Sequence, residues 1–213
     1  MMKKHLPWIL LVVPLVIMSA ANIIAWPHLP DQIPIHFNLQ GEPNDWGSRG
    51  MIWLLPGIYF WVAGFLQLVT LRLPGSKEVS NQTAVNWIAS GIAVLFLYLY
   101  AHVLMISLNP GRDQNVPFMT WGLGILTLSM GMGLKSCKRN HFIGIRTRWT
   151  LASEEIWDKT HSLASRLFLN AGTWMTLFAF YLNLFVCLGI IVAICLFTGY
   201  WSYRLAKASE SRS

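Results

Sequence analysis

Leu167 to Tyr203 reads LFLNAGTWMTLFAFYLNLFVCLGIIVAICLFTGYWSY, 37 positions without one Asp, Glu, Lys or Arg. As a single helix it would extend roughly 55 Å, nearly twice a hydrocarbon core of about 30 Å. Two membrane-spanning helices, joined by a tight turn near Tyr181, Leu182 and Asn183, fit the stretch better. The same reading between charges gives four earlier spans: Pro7 to Trp26, Met51 to Leu71, Thr83 to Leu108 and Pro117 to Leu134. The expected fold is an all-α polytopic membrane protein of about six transmembrane helices.

Composition agrees with that expectation. Of 213 residues, 54% are apolar and only 12% carry a charge, about half the charge of an average soluble domain. A soluble globular chain and a disordered one are both excluded. Lys3, Lys4 and the apolar run that follows imitate a signal peptide, but the run continues past Ser19-Ala20-Ala21 to Trp26. An uncleaved anchor is expected. Pro14 and Pro56 are expected to kink their helices, and Ser129, Gly131 and Gly133 to form a small-residue packing face.

The net charge of +7 has a topological reading. Fourteen of the sixteen Lys and Arg residues fall in the termini and in the second and fourth loops, against two in the first and third loops. Basic residues stay on the cytoplasmic side, which places both termini there, in a multi-pass membrane protein. Nucleic acid is not implied as a direct partner. The lipid bilayer is. The three cysteines, Cys137, Cys187 and Cys195, are too few for a disulfide framework.

Two loops carry the remaining information. In the first, external by this orientation, Ile33, Ile35, Phe37 and Leu39 alternate with Pro34, His36, Asn38 and Gln40, which is strand periodicity. Gly41-Glu42-Pro43-Asn44 is turn chemistry, so Asp45-Trp46-Gly47 is placed to fold back beside His36 and Asn38 as a small cap. His36 and Asp45 invite comparison with a metal site, but no recognised ligand spacing is present, and neither metal nor cofactor is expected.

The second loop, Lys135 to Arg166, is cytoplasmic. Ser153 followed by Glu154 and Glu155 is a helix start, with acids at the positive end of the dipole. Ile156, Trp157, Thr160, Ala164, Leu167 and Phe168 then share one face, and Glu154, Glu155, Asp158, Lys159, Ser162 and Arg166 the other. An amphipathic helix over Ser153 to Arg166, lying at the inner interface and leading into the fifth span, is expected. His161 falls on the flank of its apolar face. Ahead of it, the run from Asn140 to Thr150 mixes cationic, aromatic and hydroxyl groups. Arg146 is suited to bidentate capture of an anion or carboxylate, and equally to a positive-inside role beside Trp149 at headgroup level.

These loops resemble known families. Leu29-Pro30-Asp31-Gln32-Ile33-Pro34-Ile35-His36-Phe37-Asn38, with Gly41, Pro43 and Asp45, resembles an uncharacterised domain found at the start of such proteins. Asn140-His141-Phe142-Ile143-Gly144-Ile145-Arg146-Thr147, with Trp149-Thr150-Leu151, Trp157 and His161, resembles the SdpI family of bacterial membrane proteins. Arg148 stands where that family usually has Pro, and Ser165 where it often has Gly. The resemblance implies a two-span unit over 1–72 and a four-span unit over 73–213. It implies immunity to a secreted peptide toxin, and sequestration of a winged-helix transcriptional repressor at the membrane. Its candidate residues are His36, Asn38, Gly41 and Asp45 outside, and Asn140, Gly144, Arg146, Thr147, Trp149, Thr150, Trp157 and His161 inside.

Other classes are weighed against this. An ion-coupled transporter places ionisable groups within its spans. Here all nine acids fall in loops or the tail, and His102 is the one ionisable side chain deep in a span, suited to bonding a neighbouring helix. An intramembrane enzyme using the His and Arg loop residues is the other alternative, but no HExxH, GxSxG or P-loop pattern is present. A non-enzymatic protein is expected.

Overall fold

The structure is a computed structural model that describes residues 2–38, 42–72, 79–109 and 117–211. Six long helices and one short one carry the chain: α1 (Met2–Ala25), α2 (Leu54–Arg72), α3 (Val79–Leu108), α4 (Phe118–Ser136), α5 (Arg148–Ala152), α6 (Glu154–Leu177) and α7 (Leu184–Glu210). Between α1 and α2 lies an antiparallel hairpin, β1 (Gln32–Phe37) and β2 (Pro43–Ser48). Among the described residues, four stretches are long and apolar enough to cross a bilayer: Trp8–His28, Arg49–Leu68, Val79–Leu108 and Leu184–Glu210. The chain is a multi-pass helical membrane protein.

The long charge-free run divides where the sequence places the division. α6 ends at Leu177, a turn covers 178–181, and Asn183 caps α7 by accepting a 2.9 Å bond from the Val186 amide. The helix before that turn differs from the expectation. Rather than a separate interfacial helix ending at Arg166, α6 runs unbroken from Glu154 to Leu177. A charge marks where a helix leaves the interface, but only lost capping or a breaker ends it, and neither occurs at Arg166. α6 meets its apolar run only at Leu167, and α4 has 19 residues rich in Gly, Ser and Thr, so neither stands among the four apolar stretches.

α4 lies between α3 and α6, α7 packs on α6, and α1 and α2 pack on α3. The small residues of α4 serve two faces rather than one. Ser129 faces Gly91 of α3, while the Gly131 carbonyl accepts a 2.8 Å bond from Ser165 Oγ of α6. Ser165, one of the two departures from the family pattern, is thus a small buried residue that adds an interhelical hydrogen bond. α4 and α6 approach closely at Gly172, where a Cβ would lie 2.6 Å from the Leu128 nitrogen. Arg148, the other departure, is the first residue of α5, a position that tolerates Pro because its N–H needs no helical acceptor. Pro56 likewise falls in the first turn of α2 and starts that helix instead of kinking it, and α1 continues through Pro14.

One apolar core joins α1, α2 and α3 to the hairpin through Met18, Ile33, Ile52, Tyr59, Ala93 and Tyr100. Asn22, fully buried in α1, satisfies its amide across the core. Its Nδ2 donates to the Ile52 carbonyl at 3.5 Å, and its Oδ1 accepts from the Tyr100 hydroxyl at 2.8 Å.

Candidate functional site

At one end of the bundle the hairpin pairs His36 with Asp45 and Pro34 with Trp46. Ile33 and Pro34 turn inward; Ile35 and His36 are exposed. His36 Nδ1 lies 2.6 Å from Asn44 Oδ1. Asn38 closes the loop end by donating to Glu42 Oε2 at 2.8 Å and accepting from the Glu42 amide at 2.9 Å. Asp45 accepts from the Trp46 amide at 2.9 Å. The strand and the proximity of His36 to Asp45 are as read from the sequence, but the alternation is broken. Ile33 and Pro34 are buried together and Ile35 is exposed, where the pairing register shifts between Pro34 and His36. Pro43 and Asn44, expected in the turn, belong to β2, and Gly41 lies outside the described residues. Among the described residues no three His, Cys, Asp or Glu side chains gather as metal ligands would. His102, on α3, meets this cap: its buried ring lies 4.8 Å from the Phe37 ring, so it packs under the hairpin.

At the other end the segment between α4 and α6 folds into a knot of mutually satisfied polar groups. Asn140 is its first centre. Its Oδ1 accepts from the Phe142 and Ile143 amides at 2.7 and 2.9 Å, and its Nδ2 donates to the Lys138 carbonyl at 2.8 Å. That side chain mimics a backbone turn. The next residue but one after Phe142, Gly144, has φ +102°, and a Cβ there would lie 2.4 Å from His161 Nε2. Only glycine fits, by conformation and by space.

His161 is the second centre. Its Nε2 accepts from the Ile145 amide at 3.0 Å, and its Nδ1 faces the Trp157 carbonyl at 2.9 Å. An amide only donates and a carbonyl only accepts, so the imidazole is neutral with its proton on Nδ1. Burial pushes its pKa below the ordinary 6.5, outweighing the Trp157 carbonyl and the Asp158 carboxylate, which pull it up. The ring stacks on Trp157 at 4.0 Å between centroids. Trp157, fully buried, donates its indole N–H to the Cys137 carbonyl at 3.0 Å, which closes the knot on the end of α4.

Thr147 and Thr150 form a reciprocal capping box that starts α5. Thr150 Oγ1 lies 2.8 Å from the Ile145 carbonyl, and Thr147 Oγ1 lies 3.0 Å from Ser202 Oγ on α7. Trp149, half-buried, rests against Tyr203 at 5.2 Å. Arg146 stands apart: its side chain is exposed, with Nη1 donating to the His141 carbonyl at 2.6 Å. Among the described residues it has no carboxylate partner. The structure thus joins Asn140, Gly144, Thr147, Thr150, Trp157 and His161 into one unit and leaves Arg146 and Trp149 on its surface.

Sequence reasoning missed three members. Asn81 of α3, almost fully buried, accepts from the Lys138 amide at 2.8 Å; it lies upstream of Thr83, where the third span was expected to begin. A polar Ser80-Asn81-Gln82-Thr83 run inside a helix was the available signal. Cys137 contributes its carbonyl, and Ser202 lies in the charge-free run, where nothing distinguishes it from any other small packing residue.

A hairpin cap, a row of packed helices and an internally satisfied loop define a polytopic membrane protein with two built loop surfaces and no assembled catalytic constellation among the described residues. The SdpI/YfhL protein family matches residues 136–201, and DUF1648, a domain of unknown function, matches residues 13–60. Over 198 residues the chain is 28% identical to "Immunity protein SdpI" of Bacillus subtilis (strain 168), covering 92% of this chain and 90% of that protein. The chain thus resembles the SdpI family, with a stretch similar to DUF1648 ahead of the matching region. No solved structure matches it.

Proposed function

We propose that this protein confers immunity to a secreted, membrane-active peptide and does so by binding, without catalytic turnover. Similarity to an immunity protein along nearly the whole chain carries the reading. The geometry supports it. In the knot between α4 and α6, Asn140, Thr147, Thr150 and His161 spend their side-chain groups on one another and on backbone, so none is poised as an acid, base or nucleophile. Six helices cross the cell membrane, α4 and α6 doing so as a packed pair. Both termini lie in the cytoplasm, as the distribution of Lys and Arg implies.

In this reading the exposed hairpin, with His36, Asn38 and Asp45 shaping its rim, meets the peptide outside. The knot around Asn140 and His161 holds the inner ends of α3, α4, α6 and α7 together. Arg146 is its outward contact, since one N–H of the guanidinium is spent on the His141 carbonyl and the rest face outward. The test is survival of a toxin-sensitive bacterial host exposed to a peptide toxin of this class, with and without the protein. Arg146→Lys should lower survival at unchanged membrane levels, because an ammonium lacks the planar fork. Full survival with Arg146→Ala removes Arg146 from the mechanism, and equal killing with and without the wild-type protein, against every such peptide, removes the immunity reading.

A further inference from the structure

The lipid-facing side of α7 carries a second feature that neither the hairpin nor the knot explains. Leu188, Val192, Leu196 and Tyr200 are exposed at four-residue spacing, Leu196 at 70%. Such a stripe lies on one face and extends about 18 Å, close to the depth of one leaflet of a core about 30 Å thick. Along this stripe the chain changes character abruptly at Tyr200. Arg204, one turn on, holds its guanidinium 5.9 Å from the Tyr200 ring and donates to the Tyr200 hydroxyl at 3.1 Å.

A second cation arrives from α5. Arg148 lies with its guanidinium 4.7 Å from the Trp149 ring; Trp149 rests on Tyr203 at 5.2 Å; and Tyr203 lies 6.3 Å from Tyr200. The aromatic rings thus form a continuous bridge, Trp149–Tyr203–Tyr200, with an arginine at each end. Both arginines are exposed, and Lys207 follows one turn after Tyr203. Among the described residues neither guanidinium has a carboxylate partner, the recorded ion pair being Lys159 with Glu155. The bridge is held in place from beneath, because Thr147 Oγ1 and Ser202 Oγ, 3.0 Å apart, fasten α5 to α7.

We propose that this cluster is a binding site for one anionic phospholipid, with its headgroup over the aromatic bridge that Arg148 and Arg204 flank and an acyl chain along Leu188, Val192 and Leu196. Three features select that occupant. The two guanidiniums, unpaired by any acid among the described residues, match a phosphate that accepts charge-assisted hydrogen bonds. Trp and Tyr at the polar end favour the headgroup level of a bilayer. The apolar stripe continues from the cations along the helix axis, as a lipid tail continues from its headgroup, whereas a soluble anion has no use for it. The site lies on the face of α7 beside α5 and is joined to the knot around His161 through the Thr147–Ser202 contact.

The test is native mass spectrometry of the full-length, detergent-solubilised protein titrated with dioleoylphosphatidylglycerol, dioleoylphosphatidylcholine or inorganic phosphate. The wild type should retain phosphatidylglycerol in preference to phosphatidylcholine and should not retain inorganic phosphate. Removing both cations in Arg148→Gln/Arg204→Gln should weaken phosphatidylglycerol binding roughly tenfold or more. Lys138→Gln/Lys159→Gln removes the same charge elsewhere on exposed positions and should leave binding within about twofold of wild type. An equal loss in both double variants means only diffuse charge attraction, and overturns the site. Unchanged binding in Arg148→Gln/Arg204→Gln overturns it as well, and retention of inorganic phosphate in place of lipid overturns the acyl track.

Discussion

His161 shows most directly what one side chain does here. Its two ring nitrogens are committed to groups of opposite character, an amide N–H at Nε2 and a carbonyl at Nδ1. Protonation places an N–H against the Ile145 N–H and charges a ring that burial keeps neutral. The pKa is lowered in the folded state, so the unfolded chain binds the extra proton first. Stability from this residue is therefore complete above about pH 6.5, the unfolded value, and falls as pH drops from there through the lowered folded value. Thermal unfolding in detergent between pH 8 and pH 5 should show a decline below about 6.5 that His161→Gln lacks, since Gln does not titrate. A parallel decline in both proteins assigns the acid sensitivity elsewhere. The sequence identified His161, Trp157, Asn140 and Gly144 as members of one motif. It did not reveal that His161 is a fixed tautomer, because that depends on an amide 16 residues away arriving at Nε2.

At the scale of the element, α6 separates a reading that periodicity supports from one it does not. Ile156, Trp157, Thr160, Ala164 and Phe168 are buried, on the face that 3.6-residue spacing picks out. What covers that face is not lipid but α4 and the loop folded over Trp157, so the segment is core at its first turn. Trp157→Ala should accordingly cost about 3–5 kcal/mol, the range for deleting a buried aromatic side chain, and Trp157→Glu more, because it also buries a charge. Lys159→Ala should change stability by less than about 0.5 kcal/mol, since its 2.6 Å pair with Glu155 is largely exposed and of the i,i+4 helical kind. Denaturant unfolding of the purified variants measures both. Comparable small losses make the loop a loose cover rather than a packed one. Helix ends were less legible than helix faces: the expected stop at Arg166 rested on charge, whereas the actual stop at Leu177 comes from the turn ahead of the Asn183 cap, eleven residues later.

For the whole molecule, hydropathy and charge were read together, and they bear on different things. Hydropathy fixes which stretches form long apolar helices, and the division of Leu167 to Tyr203 by a turn follows from length alone. It is weakest for α4 and α6, whose polar groups are satisfied by packing against each other, as Ser165 is on Gly131. A window of sequence contains no record of such a partner. Charge speaks to orientation. The hairpin follows one long helix and the knot four, so the crossing of α2, α3 and α4 proposed above would put them on opposite sides of the bilayer. If α4 and α6 did not cross, only α2 and α3 would cross between the hairpin and the knot, and two crossings would return the knot to the hairpin's own side. Labelling therefore decides both orientation and the crossing of α4. In a background lacking Cys137, Cys187 and Cys195, a membrane-impermeant maleimide applied to intact cells should modify Asn44→Cys on the hairpin and spare Ala152→Cys at the end of α5, both exposed positions. Modification of both from outside leaves α4 uncrossed. Modification of Ala152→Cys alone reverses the molecule, and with it the assignment of the hairpin as the surface that meets a peptide from outside.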